Sequence, residues 1–387
     1  PCSISMNDMN APINTQRLAA VEQSIALAKD LVDNFYVPDL LAIGKMYVEK
    51  GMIDGGGLAK KRVMSYGDYP DESYTGISDG DYHKKCIVRS NGVVENFALG
   101  VDKATFIPLE GKDFMDPQYL SEEVDHSWFT YPNGTSTLHP IDGVTEPKFT
   151  GPKSGTKEKW EFLDEDKKYS WIKSPTFKGK TAEVGPLAKY IVVYTKVKQG
   201  IIKDPTWAEA MIVRQIDTVS QVLGVPAHVW MTTMVGRTAC RGLDAQVAAN
   251  ISQYFYNKLV TNIKNGDTAV ADTTKFEPNT WPKDAKGVGL VDAPRGGLGH
   301  WIHIKDGRSA NYQCIVPSTW NACPKTAANE HGAYEDAMID TRVKIADKPL
   351  EILKVIHSFD PCLACATHLY NKQGEKIVSV NTDALCK

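Results

Sequence analysis

From Gly236 to Ile263 an apolar side chain returns at every fourth position, at Leu243, Val247, Ile251, Phe255 and Leu259, before the turn residues Asn265-Gly266-Asp267. That period predicts one long helix with an apolar stripe to bury, and a stripe of this length calls for helical partners. Two further stretches supply them. In "KDPTWAEAMIVRQIDTVSQVLG", Asp204 suits the N-cap, Pro205 the first helical position and Gly224 the stop. Over 16–50, Leu18, Val21, Ile25, Ala28, Val32 and Phe35 recur at helical steps, with Pro38 expected to end or kink the helix before the Gly55-Gly56-Gly57 break.

Between 60 and 200 the texture changes. Short β-branched runs such as "KCIVRS" and "YIVVYTKV" lie among Asp-Gly, Asn-Gly and proline turns, which predicts strands with long connections. "GLGHWIHIKDGRSANYQCIVP" predicts two strands around Asp306-Gly307. The expected fold class is therefore α+β, a helical-bundle core with β-rich excursions. A chain of 387 residues buries such a core without staples. A net charge of −3 argues against a general phosphate or nucleic-acid binder. No apolar run reaches the ~20 residues that span a bilayer, and no export signal is read in the opening "PCSISMND".

Of the eight cysteines, Cys2, Cys86, Cys240, Cys314, Cys323 and Cys386 are scattered, and ordinary thiol packing accounts for each. Cys362 and Cys365 form a CxxC, with His368 three residues on. Two thiolates at that spacing can grip a soft metal. A redox pair, half of a zinc site or coincidence are the other readings, although no βαβ pattern and no second CxxC accompany it. In "DAPRGGLGHW", Pro294 and Arg295 sit on a glycine-rich turn, where an arginine fork can bind an anion or stay a plain surface charge. "IVPSTWN" offers a strand end followed by the Ser318 and Thr319 hydroxyls, or an ordinary turn.

Taken together these stretches resemble the large subunit of nickel–iron hydrogenases. The resemblance runs in order through "VDHSW" (124–128), "DGVTEP" (142–147), "KYSWIKSP" (168–175), "EVGPLAKY" (183–190), "NIKNGD" (262–267), "APRGGLGHW" (293–301), "NYQCIVPSTWN" (311–321) and "PLEILKVIHSFDPCLACATH" (349–368). It implies reversible heterolytic cleavage of dihydrogen, at nickel and an iron carrying carbon monoxide and cyanide. Cys362 is then the terminal nickel ligand and candidate base, and Cys365 the thiolate bridging the metals. His368 is a ligand of a nearby magnesium, with the backbone carbonyl of Cys314 as another. Pro294, Arg295, Pro317 and Ser318 surround the iron's ligands, Arg295 and Ser318 hydrogen-bonding the cyanides while Asp360 holds Arg295. Cysteine at 362 implies the subtype without selenium.

The resemblance further implies an iron–sulfur small subunit as electron acceptor, a maturation protease, and a setting on the periplasmic side of a membrane. The family's N-terminal cysteine pair is not found in these residues, so an N-terminal part of the large subunit or a companion chain is expected to supply two thiolates. Residues 1–368 read as the C-terminal portion of such a subunit: helical over 16–50, β-rich over 60–200, helical over 204–265 and site-bearing over 290–368. Residues 369–387, "LYNKQGEKIVSVNTDALCK", resemble a maturation peptide. The competing expectation is an immature precursor or a split, non-catalytic fragment serving assembly. A homologue that kept the fold and lost the metals fits poorly with retention of both Cys362 and Cys365.

Overall fold

The first apolar stripe folds as α1 (Thr15–Leu31) and α2 (Val37–Glu49), joined by a π-helical turn over Val32–Tyr36. The computed structural model describes residues 13–71, 85–150, 166–267, 276–339, 341–346 and 348–361, with the backbone of 366–370 and 376–381. Pro38 does not end the helix. The wider turn ahead of it, in which the Val37 N–H reaches back to the Val32 carbonyl, takes up the register that a proline cannot bond.

Among the described residues ten short strands follow: β1 (Arg62–Ser65), β2 (Asp68–Pro70), β3 (Cys86–Val88), β4 (Gly92–Glu95), β5 (Thr105–Ile107), β6 (Leu120–Glu123), β7 (Phe129–Thr130), β8 (Thr137–Leu138), β9 (Glu146–Pro147) and β10 (Ser174–Phe177). They pair antiparallel as β1-β4-β5, β10-β6-β8, β2-β3 and β7-β9. The β-rich expectation holds up to this point and then fails at "YIVVYTKV". That run lies in α3 (Pro186–Lys198), where Pro186 opens the helix and every residue to Lys196 is buried. A run buried all round shows no helical period, so β-branching alone misleads.

Next come α4 (Trp207–Leu223), α5 (Ala227–Trp230) and α6 (Met234–Lys264). Gly224 stops α4 with φ 69°, as expected, but the cap is Thr206 and not Asp204. Thr206 and Glu209 form a reciprocal capping box, satisfying two backbone donors that Asp204 is placed too early to reach. α6 packs against α1, α2, α3 and α4, with Val247 and Ile251 joining Ile191, Val193, Ile212 and Ile216 in the main core. Among the described residues no helix is long and apolar enough to cross a membrane.

The predicted hairpin appears as β12 (Gly296–Lys305) and β13 (Arg308–Ile315) around Asp306 (φ 50°) and Gly307 (φ 73°), with β11 (Asp284–Ala293) on the far side of β12. Trp301 of this sheet and Trp320 of α7 (Pro317–Asn321) share a second core with Tyr66, Phe114 and Phe177. A third, smaller cluster joins Leu58 to Ala333 and Ala337 of α8 (Ala333–Ile339) and to Val355 and Phe359 at the end of α9 (Leu350–Ser358). The chain closes with β14 (Ala366–Tyr370) paired to β15 (Lys376–Asn381), which places the β-prone part of 369–387 in a hairpin with the strand containing His368.

Candidate metal centre

Ala293 pairs with Gly296, so Pro294 and Arg295 alone form the turn between β11 and β12. Gly296 has φ 118°, and a Cβ there would come within 2.4 Å of the Gly185 nitrogen. Only a glycine lets the hairpin tip press onto the "EVGP" stretch. That stretch is fixed twice more. Asn321 of α7 accepts from the Val184 amide at 3.0 Å and donates to its carbonyl at 2.9 Å. Glu183 meets Arg237 of α6 in a bidentate pair at 2.7 and 2.9 Å, both side chains being almost fully buried. Arg237 also donates to the Gly55 and Gly56 carbonyls at 2.5 and 2.9 Å.

On the other side, Asp360 follows α9 in the left-handed conformation, φ 53°. This turns its carbonyl and carboxylate toward the hairpin tip. Arg295 Nε donates to the Asp360 carbonyl at 2.9 Å and lies 3.2 Å from Oδ2. Arg241 of α6 stands 3.8 Å from the same oxygen and donates to the Ser358 carbonyl at 2.8 Å. Burial, opposed by Asp360, pulls the Arg241 guanidinium below its ordinary range. Phe359 caps the arrangement, its ring 3.9 Å from the Arg237 guanidinium carbon and 4.6 Å from the Tyr334 ring. Tyr334, whose hydroxyl burial and Asp360 hold above its ordinary range, hydrogen-bonds Ser318.

Of the predicted site residues, Arg295 and Asp360 are thus in direct contact, while Ser318 is tied to Phe359 through Tyr334, and Asn321, in the same helix as Pro317, holds the stretch on which the Pro294–Arg295 tip rests. Cys362 and Cys365 lie outside the described residues, as do Cys2 and Cys386. His368 is described only as backbone in β14. Beside Asp360, where the described chain nears the CxxC, the residues present suit an anionic metal complex. Arg295 is 38% exposed and fixed by Nε, and its two terminal nitrogens make no hydrogen bond among the described residues. An apolar cleft of about 390 Å³, lined by Leu40, Ile43, Val235 and Leu353, opens beside Arg241 and Ser358.

Cys314 stands apart from this group. It is exposed on β13 opposite His300. Its neighbour Gln313 accepts from Lys173 at 3.3 Å, and Lys173 also pairs with Glu122, whose side chain is fully buried. Burial, countered by Lys173, raises the Glu122 carboxyl, and its Oε1 has no hydrogen-bond partner among the described residues. Among the described residues no three His, Cys, Asp or Glu side chains gather here or elsewhere in a group that could hold a metal ion, so Glu122 offers one oxygen of any such set. Sequence reading passed over Glu122, Arg237, Arg241 and Tyr334. The available signal was three charged residues, Arg237, Arg241 and Asp244, at helical spacing on a helix whose other buried positions are mostly apolar.

A family model described as nickel-dependent hydrogenase matches residues 1–368. The uptake hydrogenase large subunit of Rhizobium leguminosarum bv. viciae is 43% identical over 384 residues, covering 98% of this chain and 60% of that protein. The hydrogenase-1 large chain of Escherichia coli (strain K12) is 40% identical over 383 residues, with coverages of 98% and 60%. This chain therefore spans about 60% of the length of these curated relatives. In fold, the Ni-Fe-Se hydrogenase from D. vulgaris Hildenborough in the reduced state aligns with a TM-score of 0.65 at 23% identity, over 90% of this chain and 61% of that one.

Proposed function

Since this chain belongs to the nickel-dependent hydrogenase family, we propose that it is the site-bearing portion of a hydrogenase large subunit, which cleaves dihydrogen heterolytically and passes electrons to an iron–sulfur small subunit. One observation carries the reading: the contact between Arg295 and Asp360 joins the "APRG" turn to the residue that opens the "DPCLACATH" motif. Cys362 and Cys365 hold nickel and iron in this proposal, with two further thiolates from an N-terminal large-subunit segment or a companion chain. The terminal nitrogens of Arg295 and the Ser318 hydroxyl would hydrogen-bond the cyanides of the iron when it is bound. The Cys314 carbonyl and His368, supported by Glu122, hold magnesium. When bound, the metal pair supplies the Lewis acidity and electron sink that the cleavage needs.

The chain's own residues do the rest. The Cys362 thiolate takes the proton at Sγ, because a guanidinium with a pKa above ~12 is a poor acceptor. Asp360 fixes the arginine in one orientation through Nε, and the buried Glu183–Arg237 pair keeps the platform beneath it from shifting. The family match stops at His368. Residues 369–387 are proposed as the peptide that a maturation protease removes.

The test is nickel per copy of the chain, purified with its partners, measured beside hydrogen-dependent dye reduction. Near one nickel per chain with turnover supports the proposal, and both disappear in Cys362→Ser. A fully assembled complex with no nickel overturns the catalytic reading in favour of the assembly role.

A further inference from the structure

Behind the Pro294–Arg295 tip lies a group of charges that the chemistry above does not use. Lys189, in the first turn of α3, is enclosed on all sides. Its ammonium donates to Asp68 at 2.6 Å and to the two oxygens of Asp244 at 3.2 and 3.1 Å. Asp292, near the end of β11, is 4% exposed. It accepts from the Ser65 hydroxyl, from the Tyr66 and Gly67 amides at 3.1 and 3.2 Å, and from the Ser90 hydroxyl at 3.3 Å. Ser65 and Ser90 are themselves 2.7 Å apart.

Three buried carboxylates face one ammonium. Full ionisation leaves uncompensated negative charge where water cannot screen it, so the group is built to retain a proton. Contact with the ammonium separates the three. Asp68 and Asp244 both touch Lys189, whereas Asp292 has only hydroxyls and amides as partners among the described residues. The other titratable groups facing the cluster include Tyr66 just after β1, Tyr69 of β2, Cys86 of β3, Tyr190 of α3 and Cys240 of α6, and none of these brings positive charge. Burial, reinforced by Asp68 and resisted by Lys189, pushes the Asp292 carboxyl up to about 6.

Two elements lead from this cluster to the centre. Asp292 and Arg295 are three residues apart on the hairpin, within roughly 10 Å of one another. Asp244 lies one helical turn beyond Arg241 on α6, and Arg241 contacts Asp360 and Ser358. We propose that Asp292 is a proton-holding station for the hydrogen centre, with Ser65 and Ser90 as its exchange partners and Lys189, Asp68 and Asp244 as its fixed electrostatic surround. The step is proton transfer alone. An O–H bond forms at the carboxylate on loading and breaks on release, and no electron moves. The proposal rests on the hydrogenase reading, which supplies the proton.

Infrared difference spectra of the assembled complex, taken across a pH series, read the carboxyl directly and need no turnover. The expected result is a protonated-carboxyl band that grows in below about pH 6, shifts in heavy water, vanishes in Asp292→Asn and returns displaced in Asp292→Glu. With nickel unchanged, Asp292→Asn should also lower exchange between deuterium gas and water about tenfold and erase the inflection near pH 6, with Asp292→Glu restoring part of both. A band absent from the wild type, or surviving in Asp292→Asn, overturns the assignment of the proton. Wild-type exchange and pH profile in Asp292→Asn overturn its role at the centre. A preparation that shows the band but performs no hydrogen chemistry counts against the hydrogenase reading and leaves the carboxyl assignment standing.

Discussion

At Arg295 one nitrogen is committed to Asp360 while the far end of the fork stays open. A lysine cannot divide the task in this way, because its donors converge on a single atom. Arg295→Lys should therefore keep nickel near its wild-type content and lower turnover about ten- to hundredfold; metal analysis beside hydrogen-dependent dye reduction checks this. Asp292 gives a prediction with the opposite sign to most acids. Its folded pKa is raised, so its contribution to stability is whole below the unfolded value of about 4 and is lost as pH rises through about 6. The cost above that range is about 3 kcal/mol. The melting temperature should fall between pH 4 and pH 6, and the slope should flatten in Asp292→Asn.

Elements were legible where local chemistry decides them. Gly224 stops α4 and Asp306-Gly307 turns β12 into β13, because positive φ is required at these points and these residues supply it. The identity of α3 was not legible, since full burial erases the period that reveals a helix. Nor was the salt bridge that anchors α6 to "EVGP", whose partners Glu183 and Arg237 are far apart in sequence and sit in unremarkable contexts. Removing one charge of that pair strands the other in the interior. Glu183→Gln should cost about 3–5 kcal/mol, read from urea denaturation. Turnover should fall in the fraction that remains folded, because Gly296 loses the surface it rests on.

For the molecule as a whole, the motifs carried the family and left their mutual geometry unstated. Nothing local says that Asn321 will clasp Val184 or that Tyr334 will reach Ser318; those pairings exist only once three separate cores have closed. The C-terminal hairpin has a consequence of this non-local kind. His368 lies inside β14, opposite Ser379, while Ala366 and Thr367 face Asn381 and Val380. Cutting the chain after His368 therefore splits one strand, and the severed part keeps its pairing through Ser379–Asn381. Scission and departure become separate events. On the proposed cleavage the freed peptide would stay docked as a borrowed strand until its hydrogen bonds let go, so native mass spectrometry should find a nicked chain still carrying residues 369–387, and mild denaturant should shed them. The cut would arm the subunit, and the slower loss of a strand would time its release.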